Sequence, residues 1–186
     1  EIIRRYYVAM CDLKQGKCSE GTVRKLELLM KKAGVTEGER KVVAPALARA
    51  EQTGDAAAAM ELPDGTIVTG RTTDLLGASS ALLLNALKRL AGMPDELHLI
   101  SPVVLDPIQH LKVDHLGNRN PRLHTDETLI ALSICAATNP MAQMAMEQLS
   151  KLRGCEVHSS VILSAVDERT FKRLGVNLTC EPRYAN

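Results

Sequence analysis

Two stretches of the chain gather side chains able to move protons or hold charge. In Gly117-Asn118-Arg119-Asn120-Pro121-Arg122-Leu123-His124-Thr125-Asp126-Glu127, a turn-rich loop delivers His124 to the start of a helix whose first turn carries Asp126 and Glu127. A histidine beside a carboxylate exchanges protons near neutral pH. His124 with Asp126, or with Asp74 if the fold brings that residue close, is therefore the candidate proton-transfer set. In Gly77-Ala78-Ser79-Ser80, small hydroxyl residues open a second helix, and the free N–H groups and dipole of a helix start favour an anion. Ser79 and Ser80 are candidate ligand donors, with Arg122 as an anion clamp and Asn120 beside it. The competing reading is ordinary capping, with Ser79 and Thr125 serving their own helix ends and the arginines in water.

Other chemistries lack their residues. His110 and His115 are five apart and do not share a helix face, and no His-Glu-x-x-His occurs. No metal ligand set and no cofactor is expected. The phosphate-loop pattern G-x-x-x-x-G-K-[ST] is missing, and Gly77-Ala78-Ser79-Ser80-Ala81 lacks the last glycine of a serine-nucleophile elbow. His158 alternates with Val157 on an expected strand, where a hydrogen-bonded structural histidine is the simpler reading. The five cysteines are odd in number and contain no C-x-x-C, so they read as reduced thiols of a cytoplasmic protein.

These residues need a scaffold. Upstream of Thr53-Gly54 the pattern is helical: Ser19 precedes Val23, Leu26, Leu29, Met30 and Ala33 at helical spacing, and Gly34 ends the run. Thr36 and Glu39 have capping-box spacing before a helix to Gly54 in which Pro45 predicts a kink or break. The basic face of these helices reads as solvated surface. Downstream, Ala56–Leu62 and Thr66–Gly70 flank Pro63-Asp64-Gly65, a hairpin signal. A buried helix begins near Ser79, and strands are expected at 96–100, 155–163 and 176–180, separated by helices. Methionines at helical spacing after Asn139-Pro140 read as core filler. Strands alternating with helices predict a largely parallel sheet covered on its faces.

Composition narrows the function classes. The chain has 186 residues, 45% of them hydrophobic, 2% aromatic and 24% charged, with a formal net charge of +1. Near-neutrality and scarce aromatic rings argue against a nucleic-acid partner. No apolar run is long enough to span a bilayer, so no membrane association is expected. The total hides a division, because residues 1–53 carry net +4 and residues 54–186 net −3. This predicts a helical subdomain over 1–53 and an α/β subdomain over 54–186. The start, Glu1-Ile2-Ile3-Arg4-Arg5, lacks a Met and a signal-peptide core and reads as a cut from a longer chain.

Leu62-Pro63-Asp64-Gly65-Thr66-Ile67-Val68-Thr69-Gly70-Arg71-Thr72-Thr73-Asp74-Leu75-Leu76-Gly77, Asn120-Pro121-Arg122-Leu123-His124-Thr125-Asp126-Glu127 and Glu156-Val157-His158-Ser159-Ser160-Val161-Ile162-Leu163 closely resemble the bacterial proteins of domain of unknown function 1846. The likeness extends over essentially the whole chain. It implies the C-terminal part of a longer cytosolic protein whose N-terminal part carries a phosphate-loop-like glycine-rich segment. It also implies a short helical segment followed by a three-layer α/β/α sandwich with cytidine-deaminase-like topology, its mixed sheet beginning with a hairpin. The zinc ligands of deaminases are missing at the matching helix starts. Three functions stay open: an enzyme or binding protein for a phosphorylated or nucleotide-like small molecule, an oligomerisation or docking module for the N-terminal part, and a zinc-dependent deaminase-like enzyme. The expected partners are a small anionic ligand, the N-terminal part of the same protein and a second copy of the chain.

Overall fold

Pro63 and Asp64 occupy the middle of a four-residue turn, and Gly65 follows at φ 83°, where a side chain would be strained. The Leu62 N–H donates to the Thr66 carbonyl, and the Thr66 N–H to Asp64 Oδ1, each at 2.9 Å. That turn pairs β1 (Ala57–Glu61) with β2 (Ile67–Arg71) antiparallel, as the hairpin signal predicted. The computed structural model describes residues 1–185. It contains a four-stranded mixed sheet in the order β2-β1-β3-β4, where β3 is Glu156–Ser159 and β4 is Asn177–Cys180. β1 runs antiparallel to both neighbours, and β3 and β4 are parallel.

Strand alternation sends Ala58, Met60 and Val157 to one face, where they meet Leu82, Leu83 and Leu87 of α4 (Ala78–Leu90) and Phe171 of α8 (Ala165–Leu174). α4 lies almost on the backbone of β2: a Cβ at Gly70 would sit 2.2 Å from the Leu82 nitrogen. α6 (Thr125–Ala136) and α7 (Pro140–Met146) pack behind α4, and α5 (Pro102–His110) continues into a π-helical turn to His115.

The other face is covered by the N-terminal helices α1 (Ile2–Lys14) and α3 (Val43–Thr53). Val42 and Ala46 pack on Ala59 and Ile67, and the Tyr7 ring meets the His158 ring edge-on at 4.9 Å. α1 also reaches β4, with Cys11 Sγ donating to the Cys180 carbonyl at 3.3 Å. α2 (Glu20–Ala33) packs on α1.

Four expectations need correction. The sheet is mixed rather than largely parallel: the hairpin sets β1 antiparallel to β2, β1 also runs antiparallel to β3, and β3–β4 is the parallel pair. Residues 96–100 form turns rather than a strand: the Leu97 N–H closes onto the Pro94 carbonyl, Leu99 and Ile100 enter the core, and Asn85 Nδ2 donates to the Thr69 carbonyl of β2. Pro45 does not break α3, because it lies in the first turn, where its missing N–H costs nothing. The basic residues of the N-terminal segment are not all solvated. Arg40 is buried, binds the Glu156 carboxylate, and donates from Nη2 to the carbonyls of Val157 (2.9 Å) and Asn177 (3.2 Å). It bolts the helical segment to β3 and β4.

Candidate functional site

Parallel strands joined by a crossover helix leave a crevice at their carboxyl ends, where open α/β sheets place ligands. Here β3 leads through 160–164 into α8, and β4 ends beside it at Cys180. The amino end of α6 is tied to the same place by one buried carboxylate. Asp167 Oδ1 accepts from the Thr125 N–H and the Thr125 hydroxyl, both at 2.9 Å. Its Oδ2 accepts from Ser164 Oγ at 2.9 Å and lies 3.2 Å from His124 Nδ1. Ser164 is the N-cap of α8, accepting from the Asp167 N–H. Asp167 thus fastens two helix starts and orients one imidazole.

The charges follow from those contacts. Burial works to raise the Asp167 carboxyl, but hydrogen bonds from His124, Thr125 and Ser164 together hold it below its ordinary value. The hydrogen bond to Asp167 raises the His124 pKa, against the opposing effect of burial. With Nδ1 on Asp167, Nε2 is the ring atom left for a ligand, and it has no partner among the described residues. The backbone around it is braced: Glu127 accepts from the His124 N–H at 2.8 Å and from the buried Lys112 ammonium at 2.7 Å. Lys112 also donates to the Arg122 carbonyl at 2.7 Å.

The residues expected from sequence separate here. Asp126 is not the partner of His124; it is exposed and accepts from the Glu127 N–H. Asp74 is exposed too, and it lines a different, largely apolar cavity of about 660 Å³ beside β2. Ser79 and Ser80 face the core instead of a crevice, at 2% and 1% exposure. Ser80 donates to the Leu123 carbonyl at 2.9 Å, and Ser79 Oγ has no partner. They help seat the Leu123 segment and are not placed to touch a ligand. Asn120 is exposed and accepts from the Arg122 N–H at 3.1 Å, a turn-setting contact. Arg122 and His124 flank Leu123, which is buried and bridges to Leu76; the Arg122 side chain goes to the Thr73 carbonyl and the His124 ring to Asp167.

Arg122 lines a cavity of about 830 Å³ together with Thr72, Ser160, Glu181 and Arg183. Arg122 Nε donates to the Thr73 carbonyl and Arg183 Nε to the Ser160 carbonyl, each at 2.6 Å. Glu181 Oε1 lies 3.1 Å from Nε2 of the fully buried His158, whose Nδ1 is 2.9 Å from Thr179 Oγ1. Burial, with the charges of Arg40 and Arg183, drives the His158 pKa down to about 3, so the ring is neutral. Sequence reasoning missed Asp167, Arg183 and Glu181. Only the first left a signal, the Ser164-x-x-Asp167 spacing of a helix start. Among the described residues, no group of three or more His, Cys, Asp or Glu is gathered in a way that could hold a metal ion. No helix described is long and apolar enough to cross a membrane.

Residues 38–186 match the family model described as domain of unknown function DUF1846, C-terminal. Over 184 residues, 99% of this chain, the sequence is 52% identical to a UPF0371 protein of Corynebacterium urealyticum, 51% to one of Streptococcus pneumoniae and 50% to one of Streptococcus thermophilus. The chain spans 37% of the length of each of these relatives. It belongs to the DUF1846 (UPF0371) family.

Proposed function

We propose that this member of the DUF1846 family binds a small phosphorylated molecule at the carboxyl ends of β3 and β4 and exchanges a proton with it through His124. The observation that carries the reading is the Asp167–His124 contact, which fixes the imidazole by Nδ1 and leaves Nε2 for a ligand. Asp167 orients the ring and favours its charged form. Arg122, two residues before His124, is the charge nearest in sequence for holding an anion. A cytoplasmic location belongs to the same reading, and five free cysteines support it. The strand order, with β1 antiparallel to both neighbours, supports a deaminase-like arrangement of the sheet.

The test is a thermal-shift screen of the full-length protein against sugar phosphates and nucleotides, followed by mass-spectrometric detection of product for every hit. His124→Gln should abolish conversion and retain the shift; Arg122→Ala should reduce the shift. A panel without any shift, or conversion by His124→Gln at the unmodified rate, overturns the reading.

A docking role has its own support. Ile130 and Ile134, one turn apart on α6, are 59% and 60% exposed, and Met141 and Met144 of α7 are exposed beside them. Such a face suits a partner, and the occupant we propose is the N-terminal part of the longer chain, since most of the relatives' length lies outside this region. Ile134→Asp in the full-length protein should leave this region folded and make its junction with the N-terminal part more sensitive to protease. Unchanged proteolysis would remove the proposal, and a shift from dimer to monomer would reassign the face to a second copy.

A further inference from the structure

We infer that the 830 Å³ cavity is built for a phosphomonoester that carries a hydroxyl near its phosphate, with Arg122 and Arg183 gripping the dianion and Glu181 accepting from the hydroxyl. The inference rests on the reading of the strand-end crevice as an anion site and adds the ligand's second group.

The two guanidinium groups are prepared alike from opposite sides. Each spends its Nε on a main-chain carbonyl at 2.6 Å, Arg122 on Thr73 after β2 and Arg183 on Ser160 after β3. Neither forms an ion pair with a described carboxylate, so both retain the terminal N–H groups of the fork. A guanidinium pinned by Nε has lost much of its freedom before a ligand arrives, and its remaining donors match the oxygens of a phosphoryl group. Two such forks suit a dianion with three terminal oxygens better than a diester, which offers one charge and two.

The cavity's carboxylates complete the assignment. Asp55 is engaged with Arg71 at 3.5 Å, and Glu51 is exposed on the rim. Glu181 is held differently: neutral His158, itself enclosed by Tyr7 and Thr179, fixes one of its oxygens. The second oxygen has no donor among the described residues. A carboxylate in an otherwise anion-accepting cavity repels the phosphate unless the ligand brings a donor to it, and a hydroxyl one or two carbons from the phosphate does that.

The experiment is calorimetric titration of the full-length protein with glycerol 3-phosphate, inorganic phosphate and glycerophosphocholine. The monoester should bind at least roughly tenfold more tightly than the diester, and Arg183→Gln should weaken monoester and inorganic phosphate alike by about tenfold or more. Arg183→Lys, which keeps the charge and loses the fork, should fall between. Glu181→Gln should weaken glycerol 3-phosphate relative to inorganic phosphate. Equal binding of monoester and diester, indifference to Arg183→Gln in a variant with unchanged melting, or no separation of the two phosphates by Glu181→Gln overturns the inference. His124→Gln should leave these affinities in place. Intact binding with no proton-transfer chemistry would remove the earlier reading and spare this one, whereas tight binding of inorganic phosphate independent of Arg183 would do the reverse.

Discussion

This molecule holds a histidine against a carboxylate in two places, and the two pairs are opposites. At the strand ends, Asp167 collects hydrogen bonds from Thr125, Ser164 and His124, which hold its carboxyl below its ordinary value, and its hydrogen bond raises the pKa of a partly exposed ring. Under α1, Glu181 has a single fixed partner and is raised by burial, while His158 is enclosed and pushed down to about 3. The same residue types, at 3.2 and 3.1 Å, therefore move their imidazoles in opposite directions, up in one place and down in the other. The number of donors around the carboxylate and the water around the ring decide which.

The contrast can be broken most strongly at Asp167. Asp167→Ala leaves the Thr125 N–H and hydroxyl, the Ser164 hydroxyl and His124 Nδ1 without their shared carboxylate; a loss of about 3 kcal/mol in urea unfolding is expected. At His158 the effect is pH-dependent. Its folded value lies below the ordinary 6.5, so its contribution is present above 6.5 and lost as pH falls toward about 3, by up to about 1.4 kcal/mol per pH unit in that window. His158→Gln should flatten that acid limb relative to the unmodified protein. Ser164→Ala, which removes a cap and one donor to Asp167, should cost about 1 kcal/mol in the same unfolding assay. For His124 the sign reverses. Its raised value makes its contribution present below 6.5 and lost as pH rises through the folded value. Its NMR titration should have a midpoint above 6.5 that returns toward it in Asp167→Asn.

Elements with local signatures were legible in the sequence. The hairpin turn and the ends of α2 and α3 at Gly34 and Gly54 follow from turn and capping residues, whereas α4 starts after Gly77 with no side-chain cap and Ser79 caps nothing. A helix start was legible here too, but its N-cap is His124 rather than the expected Thr125, whose hydroxyl goes to Asp167, and the partner of His124 was not legible. Asp126 is adjacent in sequence, whereas Asp167 is brought in by tertiary packing 43 residues away. Ser79 and Ser80 failed as ligand donors because apolar residues surround that helix on nearly every side, leaving its start in the core. Residues 96–100 failed as a strand because alternation describes burial, and turns bracketed by Pro94 and Pro102 bury the same side chains.

The contact between α1 and β4 carries a consequence for how the chain is made. Cys11 and the carbonyl it meets are 169 residues apart, so the ribosome releases the first helix long before its platform exists. Until β4 is added beside β3, Tyr7 has no His158–Thr179 surface to close over. Translation therefore leaves the sheet-facing side of α1, Tyr7 included, waiting, and a stall shortly before β4 would present that side to chaperones or to neighbouring nascent chains.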